Sequence, residues 1–162
     1  MPDLTSLATP AATLLKASSQ SIAVAESSCG GLISAALVSV PGASGYYRGG
    51  VVSYTRVAHK ALLGVPDSAM EGIRASSEPY AELNSKTVRE AKETTWALSE
   101  TGASGPSGNR YGDSAGHACF AVAGPVEKSL TVETGSDDRE ANMWAFAEAA
   151  LGLLEQCIKE AR

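Results

Sequence analysis

Ser21-Ile22-Ala23-Val24-Ala25-Glu26-Ser27-Ser28-Cys29-Gly30-Gly31, running on into Leu32 to Val40, is the stretch that decides the fold. Residues 21–25 are short, small and apolar, the pattern of a strand buried on both faces. Glu26 to Gly31 reads as a polar, glycine-bearing turn, and Leu32 to Val40 as a helix stopped by Pro41-Gly42. A strand–turn–helix unit is the building block of α/β folds, which bind ligands at the carboxyl ends of their strands. Free N–H groups at such a helix start can hold an anion or a developing oxyanion. A serine-capped helix with no further role fits the same residues.

Upstream, Leu4, Leu7, Ala8, Ala11, Leu14 and Leu15 recur at helical spacing, so residues 3–18 are predicted as an amphipathic helix containing Pro10. Downstream, Tyr46 to Thr55 is predicted as a strand entered through a kink at Gly49-Gly50. Val57 to Leu63 is expected to form a short helix capped by Gly64. Glu78 to Lys92 is a helix with Ser76 or Ser77 as its cap and Pro79 in its first turn. Thr94 to Ser99 reads as a strand, and Thr101 to Gly116 as a long glycine-rich loop. Strands at His117 to Ala123 and Ser129 to Glu133 precede a last helix from Asp137 or Asp138 to about Ala161.

The chain has 162 residues, 44% hydrophobic and 19% charged, which suits one folded domain with a real core. A net charge of −5 gives no general attraction to nucleic acid or to an anionic membrane. An anionic ligand therefore needs a local positive site. The apolar runs stop short of the roughly 20 residues a helix needs to cross a bilayer. Cys29, Cys119 and Cys157 are odd in number and lack CxxC spacing, so neither a zinc site nor a disulfide framework is expected. With Asp3 near the start and no basic-plus-apolar leader, the expected compartment is the cytoplasm.

Besides the Glu26–Gly31 turn, three segments carry candidate chemistry. Ser44, with Tyr54 and the basic pair His59-Lys60, supplies the parts of a nucleophilic amide hydrolase. A turn serine, a core tyrosine and a solvated basic pair would look the same. Thr101-Gly102-Ala103-Ser104-Gly105-Pro106-Ser107-Gly108 lets backbone approach a ligand closely, but it lacks the Gly-Lys-Ser/Thr ending of a phosphate loop. Arg139, at the last helix start, is placed to clamp a phosphate or to pair with Asp137 or Glu140. No Gly-x-Ser-x-Gly elbow is present, which argues against a general serine hydrolase.

In order along the chain, these segments resemble the C-terminal domain of the CinA family. Glu26–Gly31 is similar to that family's Glu-Ser-Cys-Thr-Gly-Gly, and Pro41-Gly42-Ala43-Ser44 to its Pro-Gly-Ser-Ser. Gly49–Tyr54, Leu63-Gly64-Val65, Ser76-Ser77-Glu78, the Thr101–Gly108 loop and Asp138-Arg139 follow at matching positions. The resemblance implies a three-layer α/β/α fold with a mixed central sheet, in one domain over residues 1–162. It implies hydrolysis of the carboxamide of nicotinamide mononucleotide to the acid and ammonia, with no metal or cofactor. It also implies a homodimer or higher homo-oligomer. By the same resemblance Ser44 is the nucleophile, assisted by Tyr54 and by the residue at position 59. Ser27, Gly30, Gly31, Thr101, Gly102, Gly105 and Arg139 then bind substrate.

The sequence departs from that pattern at several places. The family's lysine falls on His59, while Lys60 would point about 100° away on a helix. Asp113 stands where the family has lysine, and Met143 and Trp144 replace basic residues after the Asp-Arg pair. Two readings stay open. One is an amidohydrolase in which His59 is the base, since imidazole accepts a proton near neutral pH. The other is a paralogue of impaired activity that binds a ligand or a protein. The lost charges predict little turnover of nicotinamide mononucleotide itself.

Overall fold

In the computed structural model, which describes residues 3–162, one mixed five-stranded sheet lies between two unequal layers of helices. The elements in chain order are α1 (Leu4–Ser18), β1 (Ile22–Glu26), α2 (Leu32–Ser39), β2 (Tyr47–Val52), α3 (Arg56–Ala58), α4 (Glu78–Lys92), β3 (Trp96–Ala103), β4 (His117–Ala123), β5 (Lys128–Glu133) and α5 (Arg139–Glu160). The sheet order is β2-β1-β3-β4-β5. β1 runs parallel to both β2 and β3, while β4 is antiparallel to β3 and to β5.

The two sides of the sheet differ in side-chain size, because successive strand residues point to opposite faces. Ile22, Val24, Trp96, Leu98, Phe120 and Val122 face α1, α2 and α5, where Leu15, Ile33, Leu37, Phe146, Leu151, Leu154 and Ile158 complete the main core. Ala23, Ala25, Ala97, Ala121, Ala123 and Cys119 face the other way and pack on α4 through Ala81 and Val88. Alanine on that face leaves no side-chain bulk to hold α4 away from the strands. A run of small apolar residues in β1 thus encodes a thin layer on one side and a thick one on the other.

Most boundaries follow the expected ones; β2 stops at Val52, three residues short of the predicted Thr55, and two differences reach further. Thr101, Gly102 and Ala103 belong to β3, so the loop starts only at Ser104. They extend β3 because β4 pairs with them, Thr101 opposite Cys119 and Ala103 opposite His117. The predicted helix at 57–63 is one α-turn followed by one π-type turn, His59–Leu63, ended by Gly64 at φ 67°. The kink in β2 is a register shift opposite Ile22 and Ala23.

Gly50 has a packing reason to be glycine. A Cβ there would lie 2.8 Å from the Val24 carbonyl oxygen, 2.8 Å from the Tyr47 hydroxyl and 3.0 Å from Ser34 Oγ. Gly50→Val should therefore lower the unfolding free energy by about 1–3 kcal/mol through overpacking. Urea unfolding of the variant against wild type measures it.

Candidate active site

The turn after β1 is organised by two carboxylates buried at its base. Glu26, at the end of β1 and fully buried, accepts hydrogen bonds from the N–H groups of Gly31 (3.2 Å), Ile33 (2.9 Å) and Ser34 (2.9 Å). Glu100, in β3 beside it, accepts from the N–H of Ser27 and of Cys29, each at 2.9 Å, and from the Ser28 hydroxyl. Burial pushes the Glu100 carboxyl above its usual range, against the pull of those three donors. The anion site expected at the start of α2 is therefore already filled from within. Of residues 27–34, only Ser28 has an N–H without a partner among the described residues.

Beyond this turn, at the carboxyl ends of the parallel strands, a cavity of about 350 Å³ opens. Ser27, Tyr54, His59, Thr101 and Gly102 all line it. Ser76 donates its N–H to Thr101 Oγ1 (3.1 Å), tying the segment before α4 to β3. His59 is 3% exposed, donates from Nε2 to Asn84 Oδ1 at 2.7 Å, and lies against the Tyr80 ring at 4.9 Å. Lys60 points to the surface and pairs with Asp67 at 3.3 Å, so it is His59 that the chain turns inward. Arg139 does not line the cavity; it donates to the Tyr54 hydroxyl (2.8 Å) and to the Gly105 carbonyl. In that position it clasps the end of β2 to the 104–116 loop, in place of the pairing with Asp137 or Glu140. Gly30, Gly31 and Gly105 are likewise outside the lining: Gly31 caps α2, and Met143 packs over Gly30.

Ser44 is not brought to this cavity. It sits exposed on a short 3₁₀ turn (Ala43–Gly45) before β2, next to Tyr46, whose carbonyl accepts from Ile22 at the start of β1. Tyr54 follows the other end of β2, and a strand of that length spans roughly 16 Å. A parallel sheet puts the residues before its strands at one edge of the layer and those after them at the other. That polarity separates Ser44 from Tyr54 and His59.

Several residues of the site were not singled out from the sequence. Arg56, Arg74 and Arg110 line the cavity together with Tyr80 and Tyr111, and no carboxylate does. Asp113, whose replacement of a lysine suggested lost positive charge, instead holds Arg74 at 2.8 Å. Arg74 and Arg110 lie 5.1 and 5.2 Å from the Tyr111 ring centre. Asn84 and Glu100 carried a usable signal: polar residues on the buried stripe of α4 and within the apolar run of β3. Among the described residues, no cluster of three or more His, Cys, Asp or Glu is placed to hold a metal ion.

The family profile of the CinA C-terminal domain matches residues 4–158. The chain belongs to the CinA C-terminal domain family. A CinA-like protein of Gloeobacter violaceus is 39% identical over 158 residues, 96% of this chain and 37% of its own length. One of Chlorobium limicola is 39% identical over 143 residues, covering 85% and 33%. The chain thus spans about a third of the length of the curated relatives it matches. A CinA superfamily protein of Klebsiella pneumoniae shares the fold at a TM-score of 0.90, with 24% identity and coverage of 98% and 99% of the two chains. The competence/damage inducible protein CihA of Agrobacterium tumefaciens superposes at 0.85, with 26% identity and 97% and 96% coverage. No helix of the described residues is long and apolar enough to cross a membrane.

Two outcomes follow from the buried charges. Glu26→Ala leaves three N–H groups of α2 without an acceptor and should cost about 3 kcal/mol or more, whereas Glu26→Gln, which keeps one oxygen, should cost about half of that. Chemical denaturation of both variants tests the order.

The second concerns His117, whose Nδ1 meets Glu133 at 2.5 Å and whose Nε2 meets the Ser76 carbonyl at 2.8 Å and Asp113 at 3.6 Å. Burial alone would lower its pKa, but these acceptors outweigh it and raise it above the usual 6.5. The stabilisation is then fully present below that value and fades as pH rises through the higher folded-state value. Asp113 has the opposite sign: hydrogen-bonded to Arg74, it sits below its usual 3.8, so its contribution is lost only in acid. The melting temperature of wild type relative to His117→Gln should fall between pH 6 and pH 9. A constant difference across that range would exclude the linkage.

Proposed function

We propose that the chain is an amidohydrolase acting on a carboxamide carried by an anionic, nucleotide-sized molecule such as nicotinamide mononucleotide. The observation that carries this reading is the lining of the cavity. In a chain of net charge −5, its charged residues are Arg56, Arg74 and Arg110, and Ser27, Tyr54 and Thr101 line it together with His59. Local positive charge attracts a phosphorylated ligand despite the opposite overall charge. The aromatic rings of Tyr80 and Tyr111 suit a flat heteroaromatic group.

In this reading Ser27 takes the part that the sequence suggested for Ser44. His59 removes the proton from Ser27 Oγ as it attacks the carboxamide carbon. The negative charge that develops on the carbonyl oxygen is met by the unpartnered N–H of Ser28. Protonated His59 then donates to the leaving nitrogen, the C–N bond breaks, and ammonia departs. Water attacks the acyl-serine ester with His59 again as base, releasing the acid and restoring the serine. Tyr54, held by Arg139, orients the substrate or the serine hydroxyl.

One observation favours a binding module of impaired activity instead. Glu26 and Glu100 occupy five backbone N–H groups around the turn and leave a single donor for an oxyanion. Ammonia release from nicotinamide mononucleotide, alongside calorimetric binding of the same compound, separates the two. The amidohydrolase reading expects release that Ser27→Ala lowers by about 10³-fold or more and Ser44→Ala leaves within about twofold. Release that survives Ser27→Ala would overturn it, and binding without release would establish the binding module.

A further inference from the structure

His59 is held by contacts that do more than bury it. Its backbone N–H bonds the Thr55 carbonyl at 2.8 Å, and Thr55 Oγ1 caps the Ala58 N–H at 3.1 Å. The π-type turn that starts at His59 and ends at Gly64 widens the helix at this point, a distortion common at functional positions. Its ring packs on Tyr80 at an interplanar angle of 31°. From α4, Asn84, itself 3% exposed, presents Oδ1 to Nε2 at 2.7 Å.

An amide oxygen only accepts, so Nε2 must carry the hydrogen in a neutral ring. Asn84 also opposes the rise that burial gives the neighbouring Tyr80 phenol. With Nε2–H committed to Asn84, the lone pair of the neutral ring lies on Nδ1. Among the described residues Nδ1 has no partner, and Thr94 Oγ1 is the one side-chain nitrogen or oxygen there that is both buried and unpartnered. Nδ1 is therefore reached by solvent, and the open space that His59 lines is the cavity.

We infer that Asn84 is a positioning residue: it fixes the His59 imidazole as the Nε2–H tautomer and so presents Nδ1 to the cavity as the proton acceptor. The inference rests on the amidohydrolase reading for its catalytic meaning, but not for its geometry. Without Asn84 the ring is free to exchange tautomers, and the form with hydrogen on Nδ1 has no lone pair to offer the serine. The charged and titratable groups around the ring are Tyr80 against its face, with Tyr54, Tyr111, Arg56, Arg74 and Arg110 about the cavity. No carboxylate is among them, so it is the neutral amide of Asn84 that sets the tautomer.

The test uses the whole chain and two readouts. Nitrogen-15 NMR of the histidine rings at pH 8, assigned with His59→Gln, should show His59 as the Nε2–H tautomer in wild type. Asn84→Leu should move it to a mixture, and Asn84→Asp should restore the Nε2–H tautomer. For ammonia release, Asn84→Leu should reduce kcat about 10-fold or more with KM within about threefold. Asn84→Asp should recover rate at high pH while shifting the pH–rate midpoint upward by about one unit, because a carboxylate favours the charged ring. Wild-type His59 as the Nδ1–H tautomer, or a tautomer unchanged in Asn84→Leu, would overturn the inference. The expected NMR result with no ammonia release from nicotinamide mononucleotide in any variant would leave the positioning intact and defeat the amidohydrolase reading alone. A stability loss in Asn84→Leu is recognised from its melting curve, and Asn84→Asp then carries the comparison.

Discussion

The site depends on two buried glutamates that have no ion-pair partner among the described residues. Glu26 and Glu100 are both within the sheet, and each is held by backbone N–H groups in place of arginine or lysine. An isolated buried carboxylate is costly, and several N–H donors aimed at it are what make it tolerable. The donors come from one short segment, so the two side chains act as a template on which residues 27–34 are shaped. The helix start that would ordinarily bind an external anion binds an internal one. Ser27 is left at the rim of the cavity by a turn whose other groups are already committed.

Charge is distributed so that the whole and the part have opposite signs. The chain is acidic overall, yet the charged residues lining the cavity are arginines. Arg74 is held by Asp113, which lies outside the lining, and Asp113 in turn faces His117. Behind the Arg74 side of the cavity wall thus runs a chain of ionic and hydrogen-bonded contacts. It reaches from the loop before α4, through the loop after β3, to Glu133 at the end of β5. Residues far apart in sequence share a surface because β3, β4 and β5 are successive antiparallel neighbours. That wall, and the clasp from Arg139 to Tyr54, define the space in which a ligand would sit.

Much of the fold was legible because it is local. The small residues of β1, the Pro41-Gly42 stop and the Ser77 cap with Pro79 behind it each act within a few residues, and the elements formed where they point. The misplaced boundaries are those set by partners. Thr101 to Ala103 look like loop but are strand, because β4 supplies the ladder. His59 to Leu63 look like a helix but widen into a π-type turn.

By itself the sequence determined the element order, the small apolar run of β1, the family and the inward turn of His59 in place of Lys60. Ser27, Tyr54, His59, Thr101 and Gly102 were named from it and share one cavity. Tertiary structure decided which serine joins them. Ser27 follows a parallel strand and Ser44 precedes one, and motif spacing along a chain does not record that polarity across the sheet. It also decided that Arg74 answers Asp113 and that Asn84 answers His59. A hydrogen bond or an ion pair is a property of distance in space. Residues 25 and 39 positions apart come within 3 Å only after the sheet has assembled.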